Sequence, residues 1–313
     1  MTRRVAAVDC GTNSLRLLVA DVDVGQAQLT DVARRMEIVR LGQGVDRTGR
    51  LAPEALDRTA GVLRDYADII AASAARAVRM VATSATRDAS NTTEFTHRVK
   101  EILGVAPEVL TGSQEALLSF TGATAELAGT CEAGPYLVAD IGGGSTEFVL
   151  GAGSPLGEIS VNIGCVRMTE RHLHGDPPGS HEVAAATADI DAALDAVANA
   201  VSVGKARTLI GLAGSVTTVA AIAMGLPSYD AAQIHHARVS AADVHEVTRS
   251  LLARTRGDRA AIPVMHPGRV DVIGGGALVL DRIMQRFGFG EVLVSEHDIL
   301  DGIAWSLATD SSS

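Results

Sequence analysis

The feature that most constrains the fold is a short pattern that occurs twice in the chain. Residues 140–150, DIGGGSTEFVL, run from an acid through three glycines and two hydroxyl residues to a second acid and an apolar stretch. Residues 9–19, DCGTNSLRLLV, repeat the order of acid, glycine, hydroxyl and amide residues before an apolar stretch. Each copy predicts two strands joined by a tight turn. Two such turns in one chain predict two similar domains.

The turn that follows Asp140 has the composition of a phosphate-binding loop. Its residues are Gly142, Gly143, Gly144 and Ser145. Glycine takes positive φ easily and leaves backbone N–H groups open to phosphate oxygens. The acids Asp140 and Glu147 flank the turn, and carboxylates are the ligands that a hard divalent cation prefers. The other interpretation is an ordinary β-hairpin with acids nearby by chance, since glycine runs are common in hairpins.

The earlier copy favours the phosphate-binding interpretation, because chance is less able to explain the pattern twice. Asp9 stands there in the place of Asp140 and is predicted to be a further metal ligand. Asn13 and Ser14 lie in the turn, where they are predicted to hold the terminal phosphate. The expected cation is Mg²⁺ or Mn²⁺.

Four motifs carry a resemblance to a known family. They are VATSATRDASN at 81–91, TGSQEA at 111–116, DIGGGSTE at 140–147 and GLAGSVTT at 211–218. With these motifs the chain resembles the exopolyphosphatase and guanosine pentaphosphate phosphohydrolase family of the actin-like ATPase superfamily. The motifs follow the family's order along the chain, so the resemblance is specific.

The resemblance implies an α/β fold of two duplicated actin-like (ribonuclease H-like) domains with a phosphate-binding cleft between them. The expected domains are residues 1–123 and 124–296. A final helix, 297–309, is expected to pack back on the first domain.

The resemblance also implies roles for single residues. Glu115 matches the family's catalytic base, and Arg87 is expected to face the phosphates. From the residues alone, the favoured interpretation of Glu115 is an acid that suits the dipole at the start of a helix, which Ser113 would cap. Gln114 departs from the family, where many members have glutamate. Gly214 and Ser215 match a loop that approaches the nucleoside of ATP in the superfamily; here it either binds further phosphates or has lost its role.

The expected site is completed by a helix that residues 163–167 open, whose N–H groups together with Arg167 are predicted to contact phosphate. The expected phosphate-binding residues are therefore Asn13, Ser14, Arg87, Gly142, Gly143, Gly144, Ser145, Arg167, Gly214 and Ser215. The expected catalytic residues are Glu115 and Glu147, and the expected metal ligands are Asp9, Asp140 and Glu147.

These residues predict hydrolysis of a terminal phosphoanhydride with release of orthophosphate, and the resemblance implies inorganic polyphosphate as the substrate. The chain stops at Ser313, without the further helical domains of longer members, so short polyphosphates are the expected substrates. A homodimer is expected as the way to build a longer passage. The alternatives are a guanosine pentaphosphate phosphohydrolase, a small-molecule kinase of the same fold, and a nucleotide sensor or filament-forming actin relative without turnover.

Composition excludes several other classes. The 313 residues carry a formal net charge of −10 and no basic patch with interleaved aromatics, which argues against nucleic-acid binding. No apolar stretch approaches the ~18 residues of a membrane span. Cys10, Cys131 and Cys165 lack metal-ligand spacing and are odd in number, which predicts reduced thiols and a cytoplasmic protein.

Overall fold

The computed structural model describes residues 2–127, 132 and 134–309. Contacts divide the chain into two compact units, which we call unit 1 (Met1–Thr130 with Asp298–Ser313) and unit 2 (Cys131–His297). The boundary predicted at 123/124 falls at the end of a helix that belongs to unit 1. Cys131 lies outside the described residues, as does part of the segment between the predicted domains.

Unit 1 contains a mixed sheet of five strands. The strands are β1 (Thr2–Cys10), β2 (Ser14–Asp23), β3 (Gln28–Ile38), β4 (Ala77–Ala82) and β5 (Glu108–Val109). Their order is β3-β2-β1-β4-β5, with β1, β2 and β3 antiparallel and with β4 and β5 added in parallel. The short apolar run 77–82 therefore forms a parallel strand, as its composition predicts.

Helices cover both faces of this sheet. They are α1 (Val45–Thr48), α2 (Pro53–Ser73), α3 (Ser84–Asp88), α4 (Thr92–Leu103), α5 (Gly112–Thr124) and α13 (Ile299–Thr309), with a 3₁₀ turn at Val24–Gln26. Alternate residues of β1 point to opposite faces. Ala6 and Val8 pack into one apolar core, whereas Val5 and Ala7 pack into another that includes Ile303 of α13. The final helix thus completes unit 1.

The helices α5 and α13 approach each other closely because each has a glycine at the contact. A Cβ built on Gly122 would lie 1.8 Å from the carbonyl oxygen of Asp298, and one built on Gly302 would lie 2.0 Å from that of Leu118. Both obstructing atoms belong to the backbone, which cannot rotate away as a side chain can. The packing of α13 therefore requires glycine at both positions.

Replacement of Gly302 by alanine is expected to lower the free energy of unfolding by ~1–3 kcal/mol or more, the usual cost of overpacking. The matched control is Gly61→Ala in α2, where a Cβ meets no atom within 4 Å. That substitution should stabilise the helix by ~0.5–1 kcal/mol, because glycine is entropically costly there. Urea unfolding of both variants measures the difference; equal stabilities would contradict the close crossing.

Unit 2 contains a mixed sheet of six strands. The strands are β6 (Tyr136–Ile141), β7 (Thr146–Gly151), β8 (Pro155–Val161), β9 (Thr208–Leu212), β10 (Arg238–Ser240) and β11 (Glu291–Val294). Their order is β10-β11-β9-β6-β7-β8. The β8-β7-β6-β9 part repeats the β3-β2-β1-β4 part of unit 1, with the same antiparallel and parallel pairings. The predicted duplication of an α/β domain is confirmed.

The helices of unit 2 are α6 (Cys165–His172), α7 (Ser180–Ala200), α8 (Ala213–Ala223), α9 (Ala231–Ile234), α10 (Ala241–Ala253), α11 (Arg256–Ala260) and α12 (Ile273–Phe287), with 3₁₀ turns at Val203–Lys205 and Pro267–Arg269. One continuous apolar core joins α6, α7, α8, α9, α10 and α12 to the sheet. Among the described residues of both units, no helix is both long enough and apolar enough to cross a bilayer.

Candidate active site

The two repeated segments form turns of the same construction. In unit 1 the N–H of Gly11 donates to the carbonyl of Ser14 at 2.9 Å, and in unit 2 the N–H of Gly142 donates to that of Ser145 at 3.0 Å. We call these turns turn 1 (residues 11–14) and turn 2 (residues 142–145). The strands on each side pair in the same register, so the first acid of each segment faces the residue seven positions later.

The start of α6 determines how the peptide groups of turn 2 are oriented. The N–H of Cys165 donates to the carbonyl of Gly142 at 2.9 Å, and the N–H groups of Val166 and Arg167 donate to that of Gly143 at 2.9 and 3.1 Å. The Nε of Arg167 donates to the carbonyl of Gly144 at 2.6 Å. Three successive carbonyls of turn 2 therefore point toward α6.

The corresponding N–H groups must point the other way, because the C=O and N–H of a planar trans peptide are opposed. These are the N–H groups of Gly143, Gly144 and Ser145. Within the described part of the chain, no residue accepts a hydrogen bond from them. Consecutive N–H groups of this kind form a concave anion site. Turn 2 thus has the geometry that its composition predicts for phosphate.

The predicted role of the N–H groups of α6 is wrong. The first N–H groups of that helix donate to the carbonyls of turn 2 and are not available to a phosphate. The helix therefore supports the phosphate loop instead of binding the anion. Gly164 makes this support possible, since a Cβ there would lie 2.4 Å from the carbonyl carbon and oxygen of Gly143.

Turn 1 is supported in a similar manner by residues 39–42. The N–H of Gly42 donates to the carbonyl of Thr12 at 2.8 Å, and the N–H groups of Val39 and Arg40 donate to that of Asn13 at 3.1 and 2.8 Å. By the same peptide geometry, the N–H groups of Asn13 and Ser14 point away from this segment. A Cβ on Gly42 would lie 2.3 Å from Thr12 Cγ2, so Gly42 in unit 1 corresponds to Gly164 in unit 2.

Beside turn 2, two acids face each other on neighbouring strands. Asp140 and Glu147 are direct cross-strand partners, 6% and 2% exposed. Ser160 is the next partner along the row, and its hydroxyl donates to Glu147 Oε1 at 2.7 Å. Like charges opposite each other on a sheet are destabilising, and more so when buried. A divalent cation with a preference for oxygen ligands would offset that cost, so these residues fit Mg²⁺ or Mn²⁺.

Beside turn 1, an arginine stands where turn 2 has its second acid. Arg16 is the cross-strand partner of Asp9, and its Nε and Nη2 donate to Asp9 Oδ2 at 3.0 and 2.7 Å. Its Nη1 donates to Asp298, which precedes α13. Burial raises the pKa of Asp9, and Arg16 opposes that effect. Although burial alone would raise it, the pKa of Asp298 lies below its ordinary value because Arg16 and the N–H of Leu300 stabilise its charge.

Three buried side-chain oxygens in unit 1 have no hydrogen-bond partner among the described residues: Asp9 Oδ1, Thr12 Oγ1 and Thr86 Oγ1. Asp9 ends β1, Thr12 lies in turn 1, and Thr86 lies in the helix that follows β4. Buried polar groups are normally satisfied, so such atoms indicate a bound water or ligand. Arg16 already balances Asp9 on one oxygen, and only Oδ1 is left to serve the predicted metal role.

The sequence TGSQEA opens α5, and Thr111 caps it. The Thr111 hydroxyl accepts from the N–H of Gln114, and Gln114 Oε1 accepts from the N–H of Thr111 at 2.9 Å. This capping box shows that the prediction of Ser113 as the cap is wrong. Gln114 thus has a structural role, which a glutamate at that position would also fill.

Glu115, the next residue, is buried and only 8% exposed. Its Oε2 accepts from Arg87 Nη1 at 3.1 Å, and the same Nη1 donates to the carbonyl of Leu110 at 2.8 Å. Arg87 therefore connects Glu115 to the backbone just before α5 and fixes the direction of the carboxylate. A general base depends first on this kind of placement. Sequence reasoning selected both residues but not their contact.

The loop at Gly214 has a different environment. The guanidinium of Arg269 covers Gly214, where a Cβ would lie 2.3 Å from Arg269 Cζ. Its Nη1 donates to Thr218 at 3.2 Å. Ser215 is buried against Gly276 and Cys165, and burial raises the pKa of the Cys165 thiol while its hydrogen bond with Ser215 opposes this. Gly214 and Ser215 thus serve packing, and their phosphate-binding role stays a prediction.

The fold and the two turns define the class of protein: two actin-like α/β domains, each with a hairpin turn suited to phosphate. The chain matches the Ppx/GppA phosphatase family over residues 18–310. It is 52% identical to exopolyphosphatase 2 of Mycobacterium tuberculosis (strain CDC 1551 / Oshkosh), with 97% of this chain and 98% of the relative covered. The chain belongs to the Ppx/GppA phosphatase family.

Solved structures agree with this assignment. The crystal structure of an exopolyphosphatase-like protein matches with a TM-score of 0.95 at 43% identity, over 98% of both chains. The Aquifex aeolicus PPX-GPPA enzyme matches with a TM-score of 0.81 at 31% identity, over 98% of this chain and 100% of that one. The predicted family and the predicted α/β fold of two actin-like domains are confirmed.

Proposed function

We propose that the protein is an exopolyphosphatase, which hydrolyses the terminal phosphoanhydride of inorganic polyphosphate and releases orthophosphate. The observation that carries the proposal is the combination of three outward N–H groups in turn 2 with two buried acids beside it. Phosphoryl transfer requires placement and charge neutralisation more than covalent chemistry, and this arrangement supplies both. The name of the Mycobacterium tuberculosis relative supports the same reaction.

Each group of residues has a separate role in the proposed reaction. The N–H groups of turn 2 hold oxygens of the terminal phosphate, and those of turn 1 are the equivalent phosphate donors of unit 1. Arg87 adds positive charge, since its hydrogen bonds to described residues use Nη1 alone. Glu115 accepts a proton from the attacking water, or orients that water. Asp140 and Glu147 would hold Mg²⁺ or Mn²⁺, which supplies charge neutralisation when bound.

The kinase alternative requires a nucleoside beside the 211–218 loop. The guanidinium of Arg269 lies against Gly214 in that loop. That guanidinium occupies the space over Gly214 where a nucleoside would approach the loop, which favours the hydrolase. A homodimer, a cytoplasmic location and a preference for short chains stay predictions from the sequence.

The test is a comparison of substrates on the purified protein. Tripolyphosphate, long-chain polyphosphate, guanosine pentaphosphate, and ATP with candidate acceptors are incubated separately, and orthophosphate and ADP are measured. The proposal expects orthophosphate from polyphosphate at the highest rate. Faster release from guanosine pentaphosphate would assign the alarmone as substrate, and acceptor-dependent ADP would assign a kinase. Binding of one of these compounds without formation of any product would indicate a sensor without turnover.

A further inference from the structure

Turn 1 and turn 2 differ in how their third carbonyl is held. In turn 1 the carbonyl of Asn13 accepts from two backbone N–H groups, those of Val39 and Arg40. In turn 2 the equivalent carbonyl is that of Gly144. Within the ranges that the structure describes, its donor is one side chain, Arg167, through Nε at 2.6 Å. One side chain thus does in unit 2 what two peptide groups do in unit 1.

The difference begins in the neighbouring strands. In unit 1, Val39 directly follows β3, and its N–H continues the ladder to Asn13. In unit 2, β8 ends at Val161, and the N–H of Ile163 donates back to the carbonyl of Val161 at 2.9 Å. No ladder N–H from that strand therefore reaches Gly144. The guanidinium at the start of α6 takes its place.

The Gly144–Ser145 peptide consequently depends on Arg167 for its orientation. Glycine offers little resistance to rotation of a peptide group. If the carbonyl of Gly144 loses its donor, the peptide can turn, and the N–H of Ser145 then no longer faces the phosphate side. The two preceding peptides keep their backbone donors from α6. Loss of Arg167 should therefore remove one N–H group from a site of three.

We propose that Arg167 is a positioning residue, which acts on the phosphate through the peptide between Gly144 and Ser145 and whose essential atom is Nε. The proposal rests on the function proposed above. It differs from the sequence-based expectation, in which the positive charge of Arg167 itself meets the phosphate.

Three substitutions separate the donor from the charge. In Arg167→Gln the side-chain Nε2 is as many bonds from Cα as the arginine Nε, so a donor is kept and the charge is lost. Arg167→Met places a methyl carbon there and removes both. Arg167→Lys keeps the charge but has a methylene carbon at that place, with its ammonium one bond further.

The experiment measures kcat and KM with tripolyphosphate, and separately the affinity for orthophosphate by calorimetry. With Nε as the essential atom, Arg167→Met should lower kcat by ~10- to 100-fold, toward the cost of losing an oxyanion donor. Arg167→Lys should resemble it, whereas Arg167→Gln should stay within ~3-fold of the unsubstituted protein because a neutral donor keeps the hydrogen bond. Orthophosphate affinity should fall in the same order.

The opposite order overturns the proposal: if lysine restores turnover and phosphate binding while glutamine does not, the charge is what matters. Equal values for all three variants and the unsubstituted protein would also overturn it. If the methionine variant fails to fold, the comparison of glutamine with lysine still decides. If the unsubstituted protein does not hydrolyse tripolyphosphate, the proposed function fails, yet orthophosphate binding still tests Arg167 independently.

Discussion

Replacement of Glu115 by glutamine should reduce turnover of polyphosphate by at least ~10²-fold, the lower end of the range for a lost general base. The substitution keeps the shape of the side chain and an oxygen that can still accept from Arg87. It removes the group that can take a proton from water. Because the loss concerns the transition state, kcat should fall much more than KM rises. Steady-state kinetics with tripolyphosphate measures both.

The matched control lies one residue earlier on the same helix. Gln114→Glu keeps the capping box with Thr111, because glutamate serves that motif equally well. It should retain turnover close to that of the unsubstituted protein and an unchanged melting temperature. Near-normal turnover in Glu115→Gln would contradict the general-base role and show that Glu115 is purely structural at the start of α5.

The parts of the fold that could be predicted are those that the local sequence determines. The acid-glycine-hydroxyl pattern occurs twice, and both copies form the hairpin turns that it predicts, with Asp140 paired to Glu147 across β6 and β7. The apolar runs at 77–82 and 208–212 form parallel strands in equivalent positions of the two sheets. Period and turn chemistry suffice for such elements, because neighbours in sequence determine them.

The parts that could not be predicted depend on residues far apart in the chain. Arg16 bonds to Asp298, 282 positions later, and nothing local in the sequence marks that pair. Gly122 and Gly302 allow two helices to cross closely. In the sequence, each glycine is recognisable only as a residue of low helix propensity. A signal was nevertheless present for Arg16, since it occupies in the first repeat the position that Glu147 occupies in the second.

Arg167 shows a different limit. The sequence places it beside the phosphate loop but does not show which partner its guanidinium takes. The three-dimensional structure shows its Nε on the carbonyl of Gly144. Composition predicts which groups are near a site; only the direction of a hydrogen bond shows whether a group touches the ligand or holds the loop that does.

Removal of divalent metal should abolish hydrolysis of polyphosphate, and Mg²⁺ or Mn²⁺ should restore it. The reason is the cost of two buried carboxylates, Asp140 and Glu147, that face each other beside a bound anion. Glu147→Gln removes one ligand charge and leaves the hydrogen bond from Ser160 possible. It should raise the Mg²⁺ concentration for half-maximal activity by at least ~10-fold, the smaller cost seen when even an outer partner of a metal is lost.

Metal affinity can be measured without turnover, by titrating Mn²⁺ into the protein and following its free fraction by electron paramagnetic resonance. Glu147→Gln should weaken binding, whereas Glu246→Gln should not, because Glu246 is an exposed acid of α10 paired with Arg249. Asp9→Asn provides the remaining comparison. Arg16 already balances that carboxylate, so its loss should weaken Mn²⁺ binding less than the loss of Glu147. Full activity in excess chelator, or unchanged Mn²⁺ affinity in Glu147→Gln, would show that the two facing acids are not the site of a required metal.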